Sequence, residues 1–307
     1  ITGVGFEPAM TWCKSYDTAA NHALYDAVRG VERVVYPNTA DAQGVATEGL
    51  TAWGADGFTV GSDGDVNNGS REYVTWNWKA GTTTALSGGT ITPTAQSINT
   101  TSGISIVQYD GNSTGGATVP HGLGVTPSMV IIKCLDAGET WAVGHTHLGY
   151  TKYLRLDVNS IASTTAVIWN DTAPTSTLVT LGTNSIVNTH TTLGYIMYSF
   201  APISGYSRFG FYKGTADGDG PWCYTGFRPA FIMFKSIDSA DAWAIYNDKR
   251  LGYNEENEYL SADTTDLEYS DVPFDILSNG FKVRSSSALI NKNTYNYIYA
   301  AFAEFPI

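Results

Sequence analysis

The chain has 307 residues, 29 acidic against 17 basic, a formal net charge of −12 and only 15% charged residues. The absence of any Lys/Arg run or basic stripe argues against a phosphate-tracking surface and makes nucleic acid a poor partner. No apolar stretch approaches the ~18 residues of a helical membrane span, and no signal peptide precedes Ile1, so a soluble chain without membrane insertion or signal-directed export is expected.

Gly, Thr, Ser, Asn, Tyr and Trp are abundant, which suits turn-rich β-structure and predicts an all-β fold. Cys13, Cys134 and Cys223 take different positions relative to the repeat described next, so they read as small buried apolar residues and not as a disulfide or zinc framework.

The pattern Gly-x-x-Pro, apolar strand, Lys, Asp occurs as GFEPAMTWCKSYD from Gly5, GVTPSMVIIKCLD from Gly124 and GFRPAFIMFKSID from Gly226. In each, Pro follows Gly by three residues, Lys by nine and Asp by twelve. A closing signature follows each copy: YVTWNWKA from Tyr73, YIMYSFAP from Tyr195 and YIYAAFAE from Tyr297. The spacing predicts three tandem homologous β-sandwich units of jelly-roll type, at 1–80, 104–203 and 204–307, with a Thr/Ser/Gly linker at 81–103 that can extend as an edge strand. The short second junction predicts that the last two units pack rigidly while the first stands apart.

In the first unit, Val74, Trp76 and Trp78 share one strand face, as do Ile196, Tyr198 and Phe200, and Ile298, Ala300 and Phe302, in the others; these faces should be core. The unit has no counterpart of the opening strands of the others, where Tyr109 and Gly111 match Tyr212 and Gly214. Either a longer parent polypeptide, the favoured reading, or another chain would complete that sheet edge. In the second unit, ISIVQYDG, TWAVGHTHLG, TKYLRLDV, TAVIWND and STLVTLG read as further strands. The Pro-to-Lys strands there and in the third unit are apolar on both faces and should be covered on both sides. Lys14, Lys133 and Lys235 read as structural, stems on apolar surface and charges in water.

The tandem GF.PAF...K..D, the DGF.V form at Asp56–Val60 with NGFKV from Asn279, and YVTWNWKAG resemble modules of tail-associated proteins of bacteriophages, especially marine ones, over essentially the whole chain. TNSIV from Thr183 departs from the DGF.V form. The resemblance implies a structural virion protein of a tail fibre or appendage, homo-oligomeric and often trimeric, that meets other virion proteins and binds bacterial surface polysaccharide. The alternative is a capsid-decorating or filament-forming protein that assembles through β-strands or sheets; a polysaccharide depolymerase ranks last.

The candidate site residues follow. GSDGDVNNGS from Gly61 reads first as a hairpin turn and second as a Ca²⁺ loop with Asp63, Asp65 and Asn67 as oxygen ligands. His145 and His147, two apart in a strand, share a face where a metal could sit if copies met at an oligomer axis. His22, His121 and His190 have no partner at an interpretable spacing, and a carboxylate pair such as Glu255 and Asp263 has no warrant from spacing. Trp141 and Trp243, eight positions past the Lys, read as core; Trp53, Trp169 and Trp222, near predicted loops, remain as glycan-stacking candidates. Tyr73, Tyr195, Tyr297 and Tyr299 are the candidates for subunit contacts.

Overall fold

The computed structural model describes residues 1–189, 194–251 and 254–304. It is all-β, as expected, with 39% of residues in strands and 3% in helices. In chain order the first strands are β1 (Met10–Ser15), β2 (Ala23–Asp26), β3 (Arg33–Val34), β4 (Gly44–Val45), β5 (Leu50–Gly54), β6 (Gly57–Val60) and β7 (Tyr73–Trp78). Next come β8 (Ala95–Asn99), β9 (Ile104–Asp110), β10 (Ala117–Pro120), β11 (Met129–Cys134), β12 (Ala142–His145), β13 (Lys152–Arg155), β14 (Ser163–Thr164), α1 (Ala166–Trp169), β15 (Leu178–Leu181) and β16 (Gly194–Phe200). The last are β17 (Ser207–Lys213), β18 (Trp222–Tyr224), β19 (Phe231–Ser236), β20 (Ala244–Asn247), β21 (Leu260–Ser261), β22 (Phe274–Leu277), β23 (Gly280–Val283), α2 (Ala288–Asn291) and β24 (Asn296–Phe302).

Each repeated strand pairs antiparallel with its closing strand, and in the same register. Lys14 lies opposite Val74, Lys133 opposite Ile196 and Lys235 opposite Ile298. The resulting sheets are ordered β2-β1-β7, β14-β13-β12-β11-β16-β9-β8 and β17-β24-β19-β20-β21. Small sheets accompany them: β3-β4 and β5-β6, β10-β15, and β18-β23-β22.

The motif residues have local reasons. Gly5, Gly124 and Gly226 have φ of 84°, 73° and 90°, the left-handed region that only glycine enters freely. Asp136 accepts the Gly194 amide at 2.6 Å and Asp238 the Asn296 amide at 2.7 Å, while Asp17 takes the Glu72 amide, so each motif Asp ties the strand end to the start of the closing strand. In the DGF and NGF turns, a Cβ on Gly57 would lie 2.3 Å from the Ile1 carbonyl oxygen and one on Gly280 2.1 Å from that of Cys223. No larger residue fits under the passing strand.

The three main sheets turn one face toward a common core. Met10, Trp12 and Trp78 from the first, Met129, Ile131 and Phe200 from the second, and Phe231, Met233 and Phe302 from the third meet there. Their rings pack edge to face, Trp76 to Phe231 at 5.4 Å, Trp78 to Phe302 at 5.6 Å and Phe200 to Phe302 at 5.9 Å. The void left at the centre is only about 30 Å³, as close packing requires. The opposite face of each sheet has its own apolar cluster: Val107, Val130 and Met197 in the second, Ile232, Phe234 and Tyr297 in the third, Cys13, Tyr25 and Leu50 in the first. This explains strands apolar on both faces: the second cover lies within the same chain.

Two expectations are corrected and one holds. The first region does not stand apart, because its strands are a wall of the common core. The Thr/Ser/Gly stretch extends as the expected edge strand: β8 pairs with β9 and edges the seven-stranded sheet. TAVIWND forms α1 and not a strand, since the Thr165 hydroxyl caps the Val167 amide and Asn170 stops the turn at φ 52°.

Candidate functional site

The repeated lysines are fully buried, contrary to the expectation of charges in water. The Lys14 ammonium donates to the Ser15 and Thr265 carbonyls at 2.6 and 3.4 Å, Lys133 to Ala40 and Glu139 at 2.9 and 2.6 Å, and Lys235 to Ser236 and Ser239 at 2.8 and 3.0 Å. Carbonyl dipoles from turns replace water around each charge, and the turns of Thr265 and Ala40 come from another sheet's region. Burial pulls each of the three from the ordinary 10.5 down to about 8.

The position eight residues past each lysine closes a ring. Trp141 Nε1 donates to the Tyr36 and Thr39 carbonyls at 3.1 Å, Trp243 Nε1 to that of Arg155 at 2.7 Å, and His22 Nε2 sits 3.0 Å from that of Ser261. Because Trp12 Nε1 donates to His22 Nδ1 at 2.9 Å, the His22 proton is on Nε2. Each region thus donates to the next in one sense, first to third, third to second, second to first. Burial pushes His22 down to about 3, which keeps it neutral. Asp157 and Asp263 brace the ring by accepting the amides of Trp141 and Trp243 at 3.1 and 2.8 Å. Asp263 is therefore structural, its carboxyl pushed up to about 6 by burial.

The lysines have a pH signature. A lysine whose folded pKa lies below its unfolded value binds fewer protons when folded, so stability rises with pH from about 8 toward 10.5. Cys13 and Cys223, raised from 9.0 to about 12, oppose this above pH 9, and the buried tyrosines oppose it above pH 10. Chemical denaturation should therefore show stability rising between pH 8 and 9, by at most about 1.4 kcal/mol per lysine. A fall in that window would contradict carbonyl-solvated lysines.

The remaining candidates fall in different places. Trp169 is fully buried against Tyr150 in the second sheet's outer core, so it cannot stack on a glycan. Trp53 is half-buried on β5, packed against the first sheet's outer core. Tyr195, Tyr297 and Tyr299 are buried inside the chain and are not subunit contacts; Tyr73 is half-buried. Tyr195 stacks on Tyr109 at 5.3 Å and Tyr297 on Tyr212 at 5.1 Å.

His145 is also buried rather than on an open face: its Nε2 lies 3.3 Å from the Tyr299 carbonyl and its Nδ1 accepts the His147 amide. Both ring nitrogens are engaged, and His147 packs on Phe211 at 4.6 Å. Asp63 accepts the Asp65 amide at 2.8 Å and Asn67 donates to the Gly61 carbonyl at 2.7 Å, the bonds of a turn. Among the described residues no cluster of three or more His, Cys, Asp or Glu side chains could hold a metal ion. His190 lies outside the described residues.

Trp222 is different. It is 50% exposed on β18, beside Tyr224 at 51%, with ring centroids 6.1 Å apart. The Arg208 guanidinium stands 5.8 Å over the Tyr224 ring. Residues two apart on a strand share a face, so the alternation that exposes Trp222 also marks Tyr224, which sequence reading overlooked.

Sheets, buried charges and exposed rings together define an all-β scaffold whose polar interior serves its own closure. The chain belongs to the family described as a domain of unknown function (DUF7483), whose model matches residues 1–306. Among curated proteins and among solved structures, none matches it.

Proposed function

We propose that the chain is a structural module of a bacteriophage tail or appendage that offers an aromatic platform to bacterial surface polysaccharide. In this reading the three repeats are homologous units arranged about a pseudo-threefold axis through the common core, and the module meets other virion proteins or further copies of itself. The resemblance of the repeat motifs to phage tail-associated modules supports the setting. The observation that carries the binding role is the exposed Trp222–Tyr224 pair with Arg208 over one ring. Aromatic faces on a rigid strand stack on the apolar face of a sugar, and a guanidinium donates to hydroxyl or carboxylate oxygens. The wholly structural use of Lys14, Lys133, Lys235, His22 and Asp263 supports a scaffold over a depolymerase.

Glycan-array binding, followed by titration of the best ligand, tests this. Trp222→Ala should weaken binding by roughly tenfold and leave stability nearly unchanged, because the ring is half in solvent. Undiminished binding by both Trp222→Ala and Tyr224→Ala would contradict the platform. The alternative, assembly through β-strands, is favoured by one observation, the edge of β7, which is unpaired among the described residues.

A further inference from the structure

The three closing strands differ in their outer neighbours. β16 pairs with β9 over seven residues and β24 with β17 over seven, whereas among the described residues β7 ends its sheet. The Trp78 carbonyl accepts from the Ala9 amide, so Trp78, Trp76 and Val74 direct their backbone bonds at β1, and Tyr73, Thr75 and Asn77 direct theirs outward. Along that edge runs a groove of about 390 Å³, walled on the far side by Asn247, Asp248 and Lys249. Three polar atoms in its lining have no partner among the described residues: Trp76 Nε1, Asn247 Nδ2 and Asp248 Oδ1. Asn247 and Trp76 are buried, and an orphaned buried donor is costly.

The corresponding place in the chain is filled. His145 and His147, at the positions matching Asn247 and Lys249 relative to the motif lysine, face Phe209 and Phe211 of the opening strand β17 at 6.4 and 4.6 Å. Behind the groove, a second cavity of about 320 Å³ is lined by Cys13, Phe58, Val66, Asn67 and Tyr73. Cys13, Phe58 and Tyr73 match Phe234, Phe281 and Tyr297, the three rings that surround Tyr212 of β17. Tyr212 donates to the Ile290 carbonyl at 2.6 Å and Tyr109 to that of Val187 at 2.7 Å; the matching residue is Val66. The next residue, Asn291 or Asn188, accepts the backbone amide three positions past that tyrosine at 2.7 Å. Its match, Asn67, is exposed.

We propose that the β7 edge is a strand-acceptor site for an extended peptide supplied by a second polypeptide. The peptide runs antiparallel to β7, with alternating apolar residues and a tyrosine opposite Tyr73 that enters the second cavity and donates to the Val66 carbonyl. Main-chain bonds to Tyr73, Thr75 and Asn77 give affinity, and the tyrosine pocket gives register. The site is independent of the glycan platform.

The probe is a synthetic peptide of the sequence Gly103–Asn112, which carries Tyr109 as its pocket residue, titrated calorimetrically into the whole chain. One-to-one binding with a raised thermal midpoint is expected. A peptide with Tyr109→Ala should bind at least tenfold more weakly. One N-methylated at the Val107 amide, which faces the partner strand in the chain's own sheet, should not bind measurably. No binding by the parent peptide, or equal binding by all three, would overturn the proposal. So would filling of the groove only when the segment is fused ahead of Ile1 and never when it is added as a free peptide.

Discussion

Asp26→Ala is expected to lower the unfolding free energy by about 3–5 kcal/mol, read from denaturant titration at neutral pH. Asp26 and Arg29 form an ion pair at 2.6 Å with side chains 0% and 1% exposed. The Asp26 carboxylate also accepts the Val28 and Arg29 amides at 3.0 and 2.9 Å and, across the common core, the Tyr198 hydroxyl at 2.6 Å. Its removal leaves a guanidinium charged, dry and without its counter-ion, beside the Leu24 and Arg33 carbonyls, Gln43 and the Tyr198 hydroxyl, all of them neutral. Tyr198→Phe deletes one hydroxyl and leaves the ion pair intact, so its cost should be near 1–2 kcal/mol. If Asp26→Ala cost no more than Tyr198→Phe, the charge would not be desolvated as described.

Phe302→Ala should cost about 3–5 kcal/mol. The ring meets Trp78, Phe200, Phe209 and Phe231 at centroid distances of 5.6, 5.9, 5.6 and 6.0 Å, and these come from all three main sheets. A cavity at this point removes contacts from three walls at once, and β16, β19 and β24, each buried on its other face too, cannot shift to close it. The loss should therefore appear as a shift of the whole unfolding curve, not as early loss of one region.

Much of this was legible in the sequence because a repeat converts one observation into three. Strand identity, the Lys, Asp and Gly positions and the inward faces of the closing strands all followed from spacing. The lysine environment did not, because one of the two carbonyls that solvate Lys133 comes from Ala40, 93 positions away. The ring of donors was hidden by chemistry: His22 replaces a tryptophan, and only the Ser261 carbonyl opposite shows that both serve as N–H donors. Trp169 was misplaced because four apolar residues in a row read equally as strand or helix turn, and the Thr165 cap decided between them. At the surface, the exposure of Trp222 was expected from turn residues around it, but the Arg208 partner comes from a different strand.

Calorimetric unfolding of the intact chain and of Phe302→Ala tests the common core most directly. One transition in each, with calorimetric and van't Hoff enthalpies in agreement and the variant's midpoint lowered, is the predicted result. Two or three separate transitions, with only the one for the third region moved by the substitution, would show that the sheets do not share a core.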